Sequence, residues 1–460
     1  MDNRAPMPAP TNGRSMTDDA ALWRIRRIFA IGLPILGGMA SSALLSLVDT
    51  AMVGWLGNAE LAAVGLGSFA SWIYLGLFQG LTIAVQALVS RRVGQDRSRE
   101  AGASLNAALV VLACVAPASA VALWWATPTL FALLNDDPHV LAAGIPYLRW
   151  VIAQSLFTGA IYSFNGFWNG IGRSRVYIVP LVAMHASNAV LAYGLIFGHF
   201  GLPRLGTEGA GLATALASVI GCAWYLVIAY RHARPFGFLR TRPTRADTAA
   251  VLRLAIPGGL QQLFDTLALT LMYRIVGSIG TVELAAYAVL INLVGLVGLP
   301  AFALGSAGAA LVGQALGRED VDDAARWAWD VLRVGAIAMA LLGVPFWLAP
   351  DPLLSIWLHE PTALDAARMP MRILGAMIVV NGAGYTLAAM LNGAGDVRRV
   401  TWVNLLTQWC WLLPGAWLIG PVLGGGLLGV WCMHQFGFRA LQSFVYVRIW
   451  RRRRWAHVRL

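Results

Sequence analysis

Not one of the 460 residues is a lysine; all 34 basic residues are arginine. A phosphate loop of the Walker A type needs its lysine on the β- and γ-phosphates. The chain therefore cannot drive work with a nucleotide site of its own. Energy must come from an ion gradient, a partner subunit or the gradient of the substrate itself. Cysteine is scarce as well. Cys114, Cys222, Cys410 and Cys432 all lie in apolar stretches and form no Cys-x-x-Cys pair, which leaves no disulfide framework and no zinc site. Charge is the third scarcity. Only 12% of residues are charged, against about 25% in soluble chains.

What fills the space is apolar. Hydrophobic residues make up 58% of the chain and the mean hydropathy is +0.65. Stretches of roughly 20 apolar residues, enough to cross a bilayer, recur from about Ile28 to Trp450. Twelve are centred near residues 40, 75, 113, 158, 188, 219, 264, 298, 336, 381, 410 and 438. The expected fold is an all-α integral membrane protein of twelve transmembrane helices. Six precede the basic stretch around 231–250 and six follow it.

The formal charge of +12 and sequence pI near 10.2 could indicate nucleic-acid binding. The distribution of the arginines points elsewhere. They gather in alternate loops: Arg24, Arg26 and Arg27; Arg91, Arg92, Arg97 and Arg99; Arg173 and Arg175; Arg231 to Arg245; Arg398 and Arg399; Arg451 to Arg454. The intervening loops hold Asp136, Asp137, Glu208, Glu283, Asp351 and Glu360. This is the positive-inside pattern, which expects both termini in the cytoplasm and a cytoplasmic (inner) membrane location. Membrane lipids are expected partners, the basic tail facing anionic headgroups, and nucleic acid is not. Residues 1–22 read as a disordered tail without a cleavable signal peptide.

The chain also repeats itself. Pro34 is followed at fixed steps by Gly54, Gly57, Glu60 and Leu61, and Pro257 at the same steps by Gly277, Gly280, Glu283 and Leu284. The offset of 223 residues holds for a distant second match, Asn169-Gly170-x-Gly172 against Asn392-Gly393-x-Gly395. Six helices per half place the halves the same way up, as two bundles related by a pseudo-two-fold axis along the membrane normal. The expected organisation is an N-terminal bundle over 23–231, a basic linker over 232–249 and a C-terminal bundle over 250–460.

Proline inside a helix removes one hydrogen bond and crowds the carbonyl one turn earlier, so Pro34 and Pro257 are expected as hinges at equivalent places. Two acids stand deep in apolar segments: Asp49 in Leu45-Ser-Leu-Val-Asp49-Thr50 and Asp265 in Gln261-Gln262-Leu-Phe-Asp265-Thr266. An aspartate at a helix centre costs about 2.5–3.5 kcal/mol on the insertion scale, which makes it a candidate functional group. Apolar surroundings disfavour the charged form, so such an acid could load a proton on one face and release it on the other. A monovalent cation held by the carboxylate and amide oxygens would serve equally. Asn165, Asn169, Asn188 and Thr214 in the first half, and Asn292, Asn381 and Gln408 in the second, could supply those oxygens. Most tryptophans at segment ends (Trp23, Trp55, Trp124, Trp125, Trp357, Trp450, Trp455) read as an interfacial belt. Trp72, Tyr74, Phe78, Trp168, Asn169 and Tyr385 are candidates for a cavity wall. One charge through 100 mV yields about 2.3 kcal/mol and a tenfold gradient about 1.4 kcal/mol, together enough for a substrate gradient of several hundredfold.

These residues resemble the multidrug and toxic compound extrusion (MATE) transporters. The resemblance is carried by Pro34 with Val48-Asp49-Thr50-Ala-Met-Val-Gly54-x-x-Gly57, by Leu61-Ala-Ala-Val-Gly65, Val93-Gly94-Gln95, Val312-Gly313-Gln314, Gly206-x-x-Gly209-Ala-Gly-Leu-Ala-Thr214 and Asn392-Gly-Ala-Gly395-Asp396. It covers roughly residues 25 to 450. The resemblance implies two V-shaped six-helix bundles exporting cationic drugs and other organic compounds against entering H⁺ or Na⁺. It places Asp49 on the first-helix coupling acid, Pro34 on the proline where that helix bends, and Asn188 and Thr214 in the same N-terminal site. It places Asp265 on the seventh-helix acid of the NorM-type C-terminal cation site. Two positions depart from the pattern: Ala192 stands where several relatives have a second acid, and Asn381 where the NorM type has an aspartate. One carboxylate per site favours H⁺ over Na⁺, and NorM and DinF types stay open.

The expected function is a secondary active antiporter of amphipathic, cationic organic compounds, acting as a monomer without cofactor or metal. Ion coupling falls to Asp49, Asn188, Thr214, Asp265 and Asn381. The alternative within the same superfold is a flippase for lipid-linked oligosaccharides. That reading expects extra helices and arginine-lined cavities. An integral-membrane transferase would need a catalytic His or Asp pair with a donor-binding loop; His185 and His434 stand isolated on apolar stretches, so no enzyme is expected.

Overall fold

The computed structural model describes residues 16–458, and among these the regular structure is helical throughout. Twelve long helical segments follow one another. They are α1 (Met16–Gly54), α2 (Asn58–Gly94), α3 (Ala101–Ala132), α4 (Pro138–Ala153 and Ser155–Gly170, bent by 47° between them), α5 (Ile178–Phe197) and α6 (Thr207–His232), then α7 (Arg245–Gly277), α8 (Thr281–Gly317), α9 (Val321–Leu348), α10 (Pro361–Gly393), α11 (397–422) and α12 (426–451). Eight are long and apolar enough to span a membrane individually, and the bent α4 is a ninth. The other three fall short for chemical reasons. α7 carries Gln261, Gln262 and Asp265 within its span, while α11 and α12 are interrupted by π-helical winding at Leu406–Leu412, Leu418–Val422 and Met433–Ala440.

The duplication reappears as geometry. α2 and α8 are both 37 residues long and end at Gly94 and Gly317, the same 223 residues apart. Each is followed by a non-glycine residue with positive φ, Asp96 at 58° and Glu319 at 62°. Gly172 and Gly395 take the left-handed conformation at φ 76° and 91°, which glycine adopts without a Cβ penalty. The Asn-Gly-x-Gly signature is thus a turn after α4 and α10.

The bundles meet along α1, α2, α7 and α8, and they do so on the arginine-rich half. A Cβ at Gly80 of α2 would run into the Ala255 carbonyl of α7, and one at Gly94 into the Gln314 carbonyl of α8. Missing side chains let the backbones approach closely, which is how helices associate where lipid removes the hydrophobic drive. Gly32 of α1 rests on Leu304 of α8. Gln86 donates to the Ser306 carbonyl at 2.7 Å and Gln314 to the Gly170 carbonyl at 2.9 Å, both across the seam.

Two expectations about the ends and the linker need correction. Residues 16–22, expected in an unstructured tail, extend α1, because Trp23 and Arg24 anchor that end on α9; residues 1–15 lie outside the described residues. The stretch 232–249 is a docked connector. Asn106 of α3 donates to the Gly237 and Thr241 carbonyls and accepts from the Leu239 amide, Phe238 is fully buried, and residues 245–249 already belong to α7. The α7 start is fixed by a Thr244–Asp247 capping box, which satisfies amides a helix end would leave open.

Candidate functional site

Asp49 sits in the outer part of α1. Its Oδ1 is buried, and the carboxylate makes no hydrogen bond or ion pair among the described residues. A buried oxygen without a partner is costly, and one on a carboxylate is a natural place for a proton or a cation. The elements around it supply polar groups. Asn188 of α5 donates to Thr214 of α6 at 3.3 Å and leaves its own Oδ1 unpartnered. Tyr147 of α4 bonds Ser68 of α2 at 3.0 Å and lies within electrostatic reach of Asp49. His185 of α5 reaches α1 through Ser41 at 2.7 Å. The structure thus joins Asn188 to Thr214, and neither is bonded to Asp49.

Asp265 of α7 also has a buried oxygen without a partner. Its neighbours are Gln408 of α11 and, through space, Arg439 of α12. Asn381 is not part of that contact: its amide donates to Gln435 at 2.9 Å, so a helix–helix bond occupies it. Arg439 is inconspicuous in the sequence because it precedes a basic tail. It stands 12 residues before Arg451, about 18 Å along a helix at 1.5 Å per residue, and an arginine at that depth is itself a signal. Its guanidinium lies 4.7 Å from the Tyr385 ring centroid and donates to Gln442 at 3.1 Å. Gln442 and Tyr446 both donate to Asn404, so the C-terminal bundle holds a connected polar interior. Asn165 accepts from Tyr225 and Asn292 donates to its own helix, the ordinary structural roles.

The proposed cavity wall divides. Trp72 is 65% exposed on the same side of α2 as Gly76 and Gly80, one turn beyond where Gly76 meets Gln262 of α7. Tyr385 is partly exposed and packs on Phe302 at 4.4 Å. Tyr74 and Phe78 turn inward instead: they stack edge-on at 5.4 Å, and Tyr74 bonds Ser119 of α3. Trp168 and Asn169 are buried at the arginine-rich end of α4 under the seam, too far down to line an opening. Trp450 and Trp455, expected at the interface, stack on each other at 4.1 Å and are buried. The α1 and α7 helices run continuously through Pro34 and Pro257, and Thr401 occupies the Pro257 carbonyl at 3.0 Å.

The basic face is closed by a cluster whose members lie far apart in sequence. Arg24 of α1 bonds Asp323 at 2.8 Å and Asp330 at 2.5 Å, both on α9 of the other bundle. It lies 3.8 Å from the Trp327 ring, which Trp23 also meets at 5.8 Å. Arg92 of α2 pairs with Asp247 of α7. Burial opposes charge on Asp247, but bonds from Thr244 and Arg92 outweigh it and hold that carboxyl below its usual range.

The MatE family model matches residues 34–194 and 257–418, two segments whose starts are the two prolines. A protein named "Probable multidrug resistance protein NorM" from Rhizobium meliloti (strain 1021) is 28% identical over 452 residues, covering 95% of each chain. One of the same name from Pseudomonas aeruginosa is 29% identical over 423 residues, covering 89% of this chain and 86% of its own. Among solved structures, an outward-facing multidrug resistance MATE transporter of the MOP superfamily superposes with a TM-score of 0.84 at 21% identity, covering 94% of this chain and 96% of its own. The bent form of the Vibrio cholerae transporter VcmN superposes with a TM-score of 0.85 at 20% identity, covering 94% and 98%.

Proposed function

Because the chain belongs to the MATE family of multi-pass membrane transporters, we propose that it is a secondary active antiporter exporting amphipathic, cationic organic compounds by alternating access. The basic face is cytoplasmic in this reading, with both termini on that side of the inner membrane. Substrate leaves through the opening between the bundles, and H⁺ rather than Na⁺ enters in exchange. A monomer suffices, since each chain holds both halves.

The observation that carries the reading is Asp49: a carboxylate with a buried, unpartnered oxygen, held by no arginine among the described residues, deep in an apolar helix away from the basic face. Neutral when protonated and charged when not, it changes the solvation demand on α1 by the several kcal/mol that separate buried charge from buried dipole. Trp72 and Tyr385 offer aromatic faces to a cation, each contact contributing roughly 0.5–2 kcal/mol. The departures at Ala192 and Asn381 leave few ligands for Na⁺, which prefers several oxygens, and Arg439 adds a positive charge to the second site.

The test is substrate uptake into everted vesicles, with H⁺ and Na⁺ gradients imposed separately. The wild type should accumulate a cationic dye under the H⁺ gradient alone, and Asp49→Asn should lose accumulation at normal expression. Undiminished uptake by that variant rules out the coupling role.

A further inference from the structure

On the basic face a crevice of about 330 Å³ opens where α2 and α7, helices of opposite bundles, converge. Arg91, Arg92, Arg97 and Arg253 line it, with Asp247 as its lining acid. Two of the guanidinium groups are committed. Arg91 donates to the Leu316, Ala394 and Val458 carbonyls, and Arg92 pairs with Asp247 and donates to the Glu100 carbonyl. Arg97 pairs with Glu100 on open surface, an interaction worth little against water. Arg253 is exposed and makes no hydrogen bond or ion pair among the described residues. Four guanidinium charges against the carboxylates of Asp247 and Glu100 leave a surplus of two.

The surroundings of Arg253 say what anion fits. Ile256 and Leu260 follow at three and seven residues, on the same side of α7, and are 56% and 37% exposed. Residues so spaced form one stripe, here running from a free guanidinium at the level of the interface into the apolar zone. A phosphate with hydrocarbon beneath it matches that sequence of surfaces, and basic pockets between transmembrane helices take anionic headgroups. We propose that this crevice binds the phosphate headgroup of an anionic phospholipid through Arg97 and Arg253, with its chains along Ile256 and Leu260. Arg97 follows α2 and Arg253 is on α7, so the bound phosphate ties one bundle to the other and favours the form closed at the basic face. The proposal does not depend on which compound is exported.

Full-length protein in micelles containing phosphatidylglycerol and phosphatidylcholine would be examined by native mass spectrometry. The wild type should retain phosphatidylglycerol preferentially. The Arg97→Gln/Arg253→Gln double variant should lose about tenfold or more in retention, given roughly 1 kcal/mol per basic residue near an anionic headgroup. The Arg→Lys pair should keep most of it, which guards against misfolding as the cause. Equal retention of both lipids, or full retention by the glutamine pair, overturns the site. Displacement of phosphatidylglycerol by millimolar inorganic phosphate alone overturns the lipid as its source and assigns the crevice to an aqueous phosphate.

Discussion

Two acids that look alike in sequence differ once their surroundings are known. Among the described residues Asp49 has no bonded partner and no nearby arginine, whereas Asp265 shares its bundle with the Gln408 amide and the Arg439 guanidinium. Neutralising Asp49 removes a charge that no group among the described residues offsets; neutralising Asp265 removes one that Arg439 offsets through space. Asp265→Asn is therefore expected to reduce export less than Asp49→Asn does, measured side by side in everted vesicles. Arg439→Gln leaves Asp265 without its countercharge and Tyr385 without its cation. Its thermal stability in detergent should fall, and adding Asp265→Asn should recover part of the loss, with a coupling of about 1–3 kcal/mol. Strict additivity would show that the two charges do not sense each other.

At the scale of elements, glycine spacing controls how closely α2 and α7 approach. A side chain at Gly80 meets backbone, the Ala255 carbonyl, which cannot rotate away. Gly80→Val should destabilise the closed seam by roughly 1–3 kcal/mol, the usual range for overpacking, and lower the melting temperature. Gly65→Val on the same helix, where no atom stands within 4 Å of an added Cβ, should have little effect. Equal melting temperatures for the two variants would mean that the seam tolerates separation. The π-helical windings of α11 and α12 act at this scale too. They contain Gln408 and Arg439 and re-aim side chains relative to a regular helix, whereas the matching helices α5 and α6 are regular. The duplication in sequence therefore led correctly to twelve helices but not to the interior of the second bundle.

For the whole molecule, closure at the basic face rests on contacts between bundles. Arg24 is half-buried, bonded to two carboxylates and stacked on Trp327. Arg24→Ala should shift the equilibrium toward opening there by about 1–2 kcal/mol, a factor of roughly 5–30. Spin labels at the turn residues Asp96 and Glu319 would read it as a longer distance, and an unchanged distribution would remove Arg24 from the closure. The Arg92–Asp247 pair behaves differently with pH. A carboxyl held below its usual range contributes above about pH 4 and loses that contribution only as pH falls through the lowered value. Changes of pH near neutrality do not release it, so the proton-driven cycle proposed above would rest on groups within the membrane.

Composition, the 223-residue offset and the arginine-bearing loops were enough to derive the membrane class, the twelve helices and the two equivalent halves, since these follow from hydropathy and local spacing. Asp49 and Asp265 were legible for the same reason: a charge in an apolar run needs no neighbour to be conspicuous. Which polar groups stand beside them was not. Arg439 meets Tyr385 across 54 positions of sequence and Arg24 meets Asp323 across 299, and such pairings depend on helix rotation and bundle approach. Trp168 and Asn169 are buried instead of lining a cavity, because depth in the membrane and the facing of a helix are collective outcomes of packing. One-dimensional spacing records the period of a helix, and only the assembled bundles decide what that period faces.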